Sequence, residues 1–359
     1  MKDPRFSQRS AVVDLSRDLL HEGLVVRTWG NVSHRTSGHE FVITPSGRSY
    51  DTMIESDLAV ISAAGEASGP FKPSSEYPMH KLCYEHRPGA NCVVHTHQRY
   101  ASALSQLGQP LELTRHEAQA IGQSHIQISP YGLPSTKKLH FGVKETLRHN
   151  PGDNVVLLEA HGVFLCGDTA EHALQLARDV ESAATRIYKE VTGSTLVDPD
   201  VPQDRIVRSE RDNPHAPICF FNAAGEEATA SVPAEVRARH EAIYSQRKKA
   251  CAIRVCWDSE VEALKSQISG GTPLRPYLDD FAQIVGTKAH ASARANVVFR
   301  DGEALCIGSD PADATAVESV LMKNARAARV AQVAGRSPIA NWECHLMNAI
   351  YRATYSKQA

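Results

Sequence analysis

The chain has 359 residues, more than one hydrophobic core normally organises, so two domains are expected. It is 42% hydrophobic and 22% charged, with a formal net charge of −2 and no block of Lys or Arg, which argues against a disordered chain and against nucleic acid as a partner. No stretch approaches the ~18 apolar residues of a membrane span, and the N-terminal segment lacks the apolar core of a signal peptide. A cytoplasmic location is therefore expected, with the eight scattered cysteines reduced and Cys83, Cys92 and Cys166 serving as small core residues.

In chain order, the apolar side made by Val13, Leu15, Leu19 and Leu20 predicts a first helix over about 10–21. "TWGNVSHR" (28–35) and "FVITPSG" (41–47) read as a turn, a strand and a second turn, with Gly30 and Gly47 allowing close backbone approach. "YPMHKLCYEH" (77–86) reads as a helix entered through Pro-Ser-Ser-Glu, with Ser74 or Ser75 as N-cap. "NCVVHTH" (91–97) is a buried strand and "YASALSQL" (100–107) a helix. "DNVVLLEAHGVFLCG" (153–167) reads as two strands broken at His161-Gly162. A long amphipathic helix over 169–193 places Ala173, Leu176, Val180, Ala184 and Ile187 on one stripe and stops at Gly193. Residues 194–217 carry four prolines and many charges, the composition of a linker. The expected organisation is a catalytic domain over 1–193, a linker over 194–217 and a second domain over 218–359.

The second half partly repeats the first at an offset of 160 residues. "AAGE" at 63–66 recurs at 223–226, and Pro73, His80, Tyr84, Arg87 and Ala90 meet Pro233, His240, Tyr244, Arg247 and Ala250. "NVVLLEAHGVFLCG" (154–167) resembles "NVVFRDGEALCIG" (296–308) with one residue deleted. A second copy of the same fold is expected. In that copy Val255 stands for His95, Trp257 for His97, Val236 for Glu76, and Gly302 or Glu303 for His161. These polar residues vanish together, as members of one site would.

Residues i and i+2 of a strand point to one face, so His95 and His97 project together. Neutral imidazoles suit zinc and similar divalent ions. A lone His-x-His is a weak signal, but His161 at a strand break and Glu76 at a helix start would complete a tetrahedral shell, with Glu76 able to yield to substrate. "GNVS" (30–33), "TPSG" (44–47) and "PSSE" (73–76) combine small polar side chains with exposed amides, which favour phosphate.

Residues 10–193 resemble the class II aldolase/adducin family, of L-fuculose-1-phosphate aldolase type, through "GNVSHR", "ITPSG", "PSSEYPMHKLCYEHRPGANCVVHTHQRYASALS" and "LLEAHGVFLCG". The resemblance implies an α/β fold of three αβα layers with a largely antiparallel sheet. It implies zinc on His95, His97 and His161, with Glu76 as displaceable ligand and acid/base, and phosphate near Asn31, Ser46, Gly47, Ser74 and Ser75. It implies retro-aldol cleavage of a sugar 1-phosphate to dihydroxyacetone phosphate and an aldehyde through a metal-stabilised enediolate. It also implies sites at subunit interfaces, hence a homo-oligomer, either a dimer acting as a pseudo-tetramer or a tetramer.

The match departs from the family where its aldolases carry a tyrosine from a neighbouring subunit. "ELTRHEAQAIG" (112–122) has none, and His116, then Glu117, are the candidates for that place. Decarboxylation of a phosphorylated 3-oxo sugar acid and dehydration of a ketose 1-phosphate are the competing reactions on the same metal site; Glu117 belongs to the latter. A non-enzymatic, adducin-like assembly module is the less favoured alternative, because a structural site has no use for a displaceable Glu76.

Overall fold

The computed structural model describes residues 4–269, 273–287 and 295–354; the extreme ends of both expected domains lie outside these. The chain divides into two compact units, the first comprising Met1–Gly193, Val330–Arg336 and Thr354–Ala359, the second Ser194–Arg329 and Ser337–Ala353.

The first unit runs α1 (Phe6–His21), β1 (Gly30–Ser37), β2 (Glu40–Ile43), β3 (Ala59–Ile61), β4 (Ala67–Ser68), α2 (Tyr77–His86), β5 (Cys92–Thr96) and α3 (Arg99–Leu104). It continues with β6 (Leu111–Glu112), α4 (Arg115–Ile121), β7 (His125–Ser129), α5 (Lys137–His149), β8 (Val155–Leu158), β9 (Val163–Gly167) and α6 (Ala170–Thr192). Its nine-stranded sheet has the order β4-β3-β2-β1-β5-β9-β8-β7-β6. Every pairing is antiparallel except β7 with β8, so the sheet is mixed but largely antiparallel, as expected.

Alternation along the strands separates the two faces. Val32, Val94, Val155, Leu157, Val163 and Leu165 pack with α1, α3 and α6. Phe41, Ile43, Val93, Val156, Phe164 and Cys166 pack with Met79, Cys83 and Tyr84 of α2 and Leu139, Val143 and Leu147 of α5. The result is the three-layer αβα arrangement. His95 shares its strand face with Val93 and so looks toward α2.

The second unit runs β10 (Ile206–Glu210), β11 (Cys219–Asn222), α7 (Ala234–Gln246), β12 (Ala252–Cys256), α8 (Ser259–Ser269), α9 (Asp279–Ile284), β13 (Val297–Arg300), β14 (Glu303–Gly308), α10 (Pro311–Val333) up to Arg329, and α11 (Asn341–Thr354) up to Ala353; the end of α10 from Val330 belongs to the first unit. Its sheet order, β11-β10-β12-β14-β13, is that of β2-β1-β5-β9-β8 in the first unit. Register agrees as well: Val255 faces Leu305 as His95 faces Phe164. The turns before β9 and β14 even share a left-handed non-glycine residue, Ala160 (φ 58°) and Asp301 (φ 50°).

The expected linker is thereby corrected at its C-terminal part. Residues 206–210 form β10, the strand between β11 and β12. Arg208 and Glu210 are only half-buried and pair with each other, which gives this strand its loop-like composition. Gly193 closes α6 in the left-handed conformation, and the first unit's N-terminal segment stops there, with Val330–Arg336 joining it from far along the chain. All eight cysteines are free thiols, with Cys83, Cys92 and Cys166 buried.

Both units keep one polar cluster. In the first, Ser33 Oγ lies 2.7 Å from His80 Nδ1 and 2.8 Å from the Tyr84 hydroxyl. In the second, Ser209 Oγ lies 2.7 Å from His240 Nδ1 and 3.0 Å from the Tyr244 hydroxyl. Burial pushes His80 down to about 3 and His240 down to about 4. Each is therefore neutral when folded, while the unfolded chain takes up a proton below about 6.5. Stability is unaffected above that pH and falls as pH drops from about 6.5 toward the folded values, by up to about 1.4 kcal/mol per pH unit for each histidine. His240→Gln should flatten the fall in thermal stability between about pH 6 and 4.5, measured by calorimetry; an unchanged slope would contradict a neutral, buried His240.

Candidate metal centre

Three imidazoles converge at the ends of β5 and β9. His95 projects from β5 and His97 from the residue just past its end, and His161 comes from the β8–β9 turn. His95 Nε2 lies 2.9 Å from His97 Nε2 and 2.9 Å from His161 Nε2. The ligand atoms of the three residues all lie within 4.8 Å of one another, and no second group of this kind occurs among the described residues. His95 Nδ1 donates to the Val163 carbonyl at 2.8 Å, which leaves its Nε2 as a lone pair facing the cluster.

The local sequence makes this approach possible. Gly162 sits against β5, where a Cβ would fall 2.3 Å from the Thr96 carbonyl oxygen and 3.1 and 3.2 Å from the His95 and His97 rings. Gly30, at φ +137°, is equally confined: its Cβ would fall 2.7 Å from the His95 carbonyl oxygen. The turn itself is closed by Leu158 N–H to Gly162 O and His161 N–H to Leu158 O. Beyond His97, Glu181 of α6 accepts the Tyr100 and Ala101 amides, anchoring the start of α3.

Glu76 closes the fourth side. It is the N-cap residue of α2, with Pro78 in the first turn, and its carboxylate is 3.4 Å from His95 Nε2 and 3.3 Å from His161 Nε2. Burial works against the Glu76 carboxylate, but His95, His161 and the Asn31 amide outweigh it and hold its proton affinity well below the usual range. Burial pushes His95 well down, and His161 and His97 add to this. A carboxylate facing three imidazole nitrogens is a donor set for a divalent cation, and three nitrogens with one oxygen fit zinc.

A chain of hydrogen bonds leads away from Glu76. Asn31 Nδ2 donates to Glu76 Oε2 at 3.0 Å, and its Oδ1 accepts from His80 Nε2. That fixes the His80 tautomer, so Nδ1 accepts from Ser33, which in turn receives the Tyr84 hydroxyl. His80 is a site-supporting residue that sequence reasoning took only as a repeat match.

The three small polar turns are drawn together. Thr44 N–H donates to Val32 O, Ser74 N–H to Thr44 O, and Ser46 N–H to Lys72 O. These bonds bring the segments of Asn31, of Ser46 and Gly47, and of Ser74 and Ser75 side by side toward the N-terminus of α2, where amides and the helix dipole favour an anion.

The other two expected residues stand apart from this cluster. Glu117 caps its own helix: Thr114 and Glu117 form a reciprocal capping box. Arg186, foremost, and the Thr114 amide and hydroxyl hold its carboxyl down to about 2. His116 is exposed on the first turn of α4.

In the second unit the register puts Val255, Trp257 and Gly302 where the first has His95, His97 and His161. Glu303, in the place of Gly162, pairs with Arg205 at 2.7 Å and with Arg239, which also reaches Asp301 at 3.2 Å. Arg205 lies over the Trp257 ring.

Residues 10–188 match the model of the Class II Aldolase and Adducin N-terminal domain. A 5-methylthioribulose-1-phosphate/5-deoxyribulose-1-phosphate aldolase of Rhodospirillum rubrum is 33% identical over 193 residues, 53% of this chain and 84% of that one. An L-fuculose phosphate aldolase of Escherichia coli K12 is 32% identical over 188 residues, 52% of this chain and 84% of that one. A solved L-fuculose 1-phosphate aldolase matches with TM-score 0.48 at 27% identity, over 54% of this chain and 91% of that chain. The chain belongs to the class II aldolase and adducin family, and is an enzyme of its carbon–carbon lyase type.

Proposed function

We propose that the chain is a zinc-dependent aldolase that cleaves a ketose 1-phosphate to dihydroxyacetone phosphate and an aldehyde. The observation that carries this reading is the buried convergence of His95, His97 and His161 on the Glu76 carboxylate, beside turns suited to an anion. A divalent cation held there supplies Lewis-acid stabilisation of the oxyanion that develops at C2 as the C3–C4 bond breaks.

The chain's own residues supply the rest. Asn31, Ser46, Gly47, Ser74 and Ser75 hold the phosphate and so fix C2 and C3 near the imidazoles. With its carboxylate freed by substrate oxygens, Glu76 would take up a proton from solvent, favoured by its buried surroundings, and would donate that proton to C3. The proton of the C4 hydroxyl passes to a base as the C4 carbonyl forms. We assign that base to His116, presented by a neighbouring copy of the chain. Glu117 is committed to Thr114 and Arg186, which supports cleavage over dehydration. The second unit is a degenerate copy of the first, its metal-ligand positions given over to Val255, Trp257 and an Arg–Glu–Arg cluster.

The relatives suggest which substrates to try: L-fuculose 1-phosphate, 5-deoxyribulose 1-phosphate and 5-methylthioribulose 1-phosphate. Zinc-loaded protein should release dihydroxyacetone phosphate from at least one, detected by coupled reduction. Glu76→Gln should retain zinc and lose about 10²–10⁴-fold in turnover; a fully active variant would contradict the assigned proton transfer. Gly162→Ala should fold yet lose zinc, because the added methyl group displaces β5 or the two rings; metal analysis finding one zinc per chain would refute that reading of the close approach.

A further inference from the structure

The first unit includes Val330–Arg336, a segment far along the chain from the metal centre. Val330 is fully buried in the core shared with α1, α3 and α6. Just beyond it, α10 stops in a Schellman arrangement: Gly335 is left-handed (φ 64°), and the Arg336 amide donates back to Ala331 O at 2.8 Å. That termination aims the Arg336 side chain. Its guanidinium lies against Gly108, where an added Cβ would fall 3.3 Å from Cζ, and it ion-pairs with Glu159.

Glu159 stands two residues before His161. Its other carboxylate oxygen accepts the Tyr131 amide at 3.1 Å, and its own amide donates to Ser129 O. The next residue, the left-handed Ala160, donates its amide to Ser105 Oγ at 3.1 Å, in the turn that Gly108 closes. From Tyr131 the loop runs to Ser135, a left-handed non-glycine residue whose hydroxyl is 2.8 Å from Ser75 Oγ, next to Glu76. One carboxylate thus ties the turn that delivers His161 to the loop that abuts Ser75.

We propose that Arg336 is a positioning residue for the metal centre: by holding Glu159, it fixes the His161 turn and the 130–136 loop in the ligating arrangement. The proposal rests on the reading of His95, His97, His161 and Glu76 as metal ligands. It makes the C-terminal part of the chain a structural component of a site whose ligands all lie in the first half. Outer partners of metal ligands commonly govern affinity by about 10–100-fold. Arg336 and Glu159 are both partly exposed, with side chains 39% and 21% accessible, so their pair adds little to global stability. Removing it should loosen the site without unfolding the chain.

The test uses the full-length chain with Arg336→Ala, Arg336→Lys and Glu159→Gln. Two readouts are needed: affinity and visible spectrum with Co²⁺ as probe, and backbone hydrogen exchange of peptides covering 130–136 and 158–162 in metal-free protein. Arg336→Ala should weaken Co²⁺ binding roughly tenfold or more, alter its visible bands and speed exchange in both peptides, with the thermal midpoint little changed. Arg336→Lys should recover part of each effect, and Glu159→Gln should reproduce the loss. Wild-type exchange in both peptides of Arg336→Ala would overturn the proposal, whatever the metal data show. A wild-type chain that binds no Co²⁺ would refute the metal-centre reading and, with it, the role assigned to Arg336; exchange would then report a loop contact alone.

Discussion

Everything in the first unit is arranged around one constraint: three imidazole nitrogens and a carboxylate must share a small buried space. That demands near-contact between the β8–β9 turn and the end of β5, which only a glycine at position 162 allows. It also demands that the ring orientations be fixed from behind. The Val163 carbonyl does this for His95, and Asn31 and α2 do it for Glu76. The fold supplies these elements at adjacent positions because β1, β5 and β9 are neighbours at the centre of the sheet.

The second unit offers a comparison, with corresponding strand order and register but no histidine at the positions that answer to His95, His97 and His161. Strand order, register, the left-handed turn residue and the Ser–His–Tyr cluster persist. The hydrogen-bond chain ends differently, however. His80 donates its Nε2–H to Asn31 Oδ1 and so supports Glu76, whereas His240 Nε2 has no partner among the described residues. The Ser–His–Tyr cluster therefore belongs to the fold, and the Asn31–Glu76 extension belongs to the site. Where the first unit needs a glycine, the second places Glu303 between two arginines, an ion-pair cluster that occupies the space without a metal.

Much of this was legible in the sequence because it is local. Two histidines two apart at the end of a buried strand and a glycine after His161 declare their geometry through strand periodicity, whereas the helix entered through Ser74 and Ser75 has Glu76 and not a serine as its N-cap. The similarity at offset 160 is visible because the core pattern of β12 resembles that of β5. What escaped was non-local or ambiguous. β10 carries Arg208 and Glu210 between proline-rich flanks and reads as linker, yet pairing with β11 and β12 makes it a strand. Glu117 was available as a capping residue in "TRHE", a Thr-x-x-Glu signature, and its pairing with Arg186 across the fold fixes that role. His80 and Arg336 act through contacts that no local pattern encodes.

The central claim is that His95, His97, His161 and Glu76 together hold a divalent cation. X-ray absorption at the zinc edge of full-length, zinc-loaded protein tests it most directly. The account predicts about three nitrogen neighbours with imidazole outer-shell scattering at ~2.0–2.1 Å, plus oxygen, with no sulfur. In Glu76→Gln the imidazole scattering should remain. A shell containing sulfur at ~2.3 Å, or a six-oxygen shell without imidazole scattering, would contradict it.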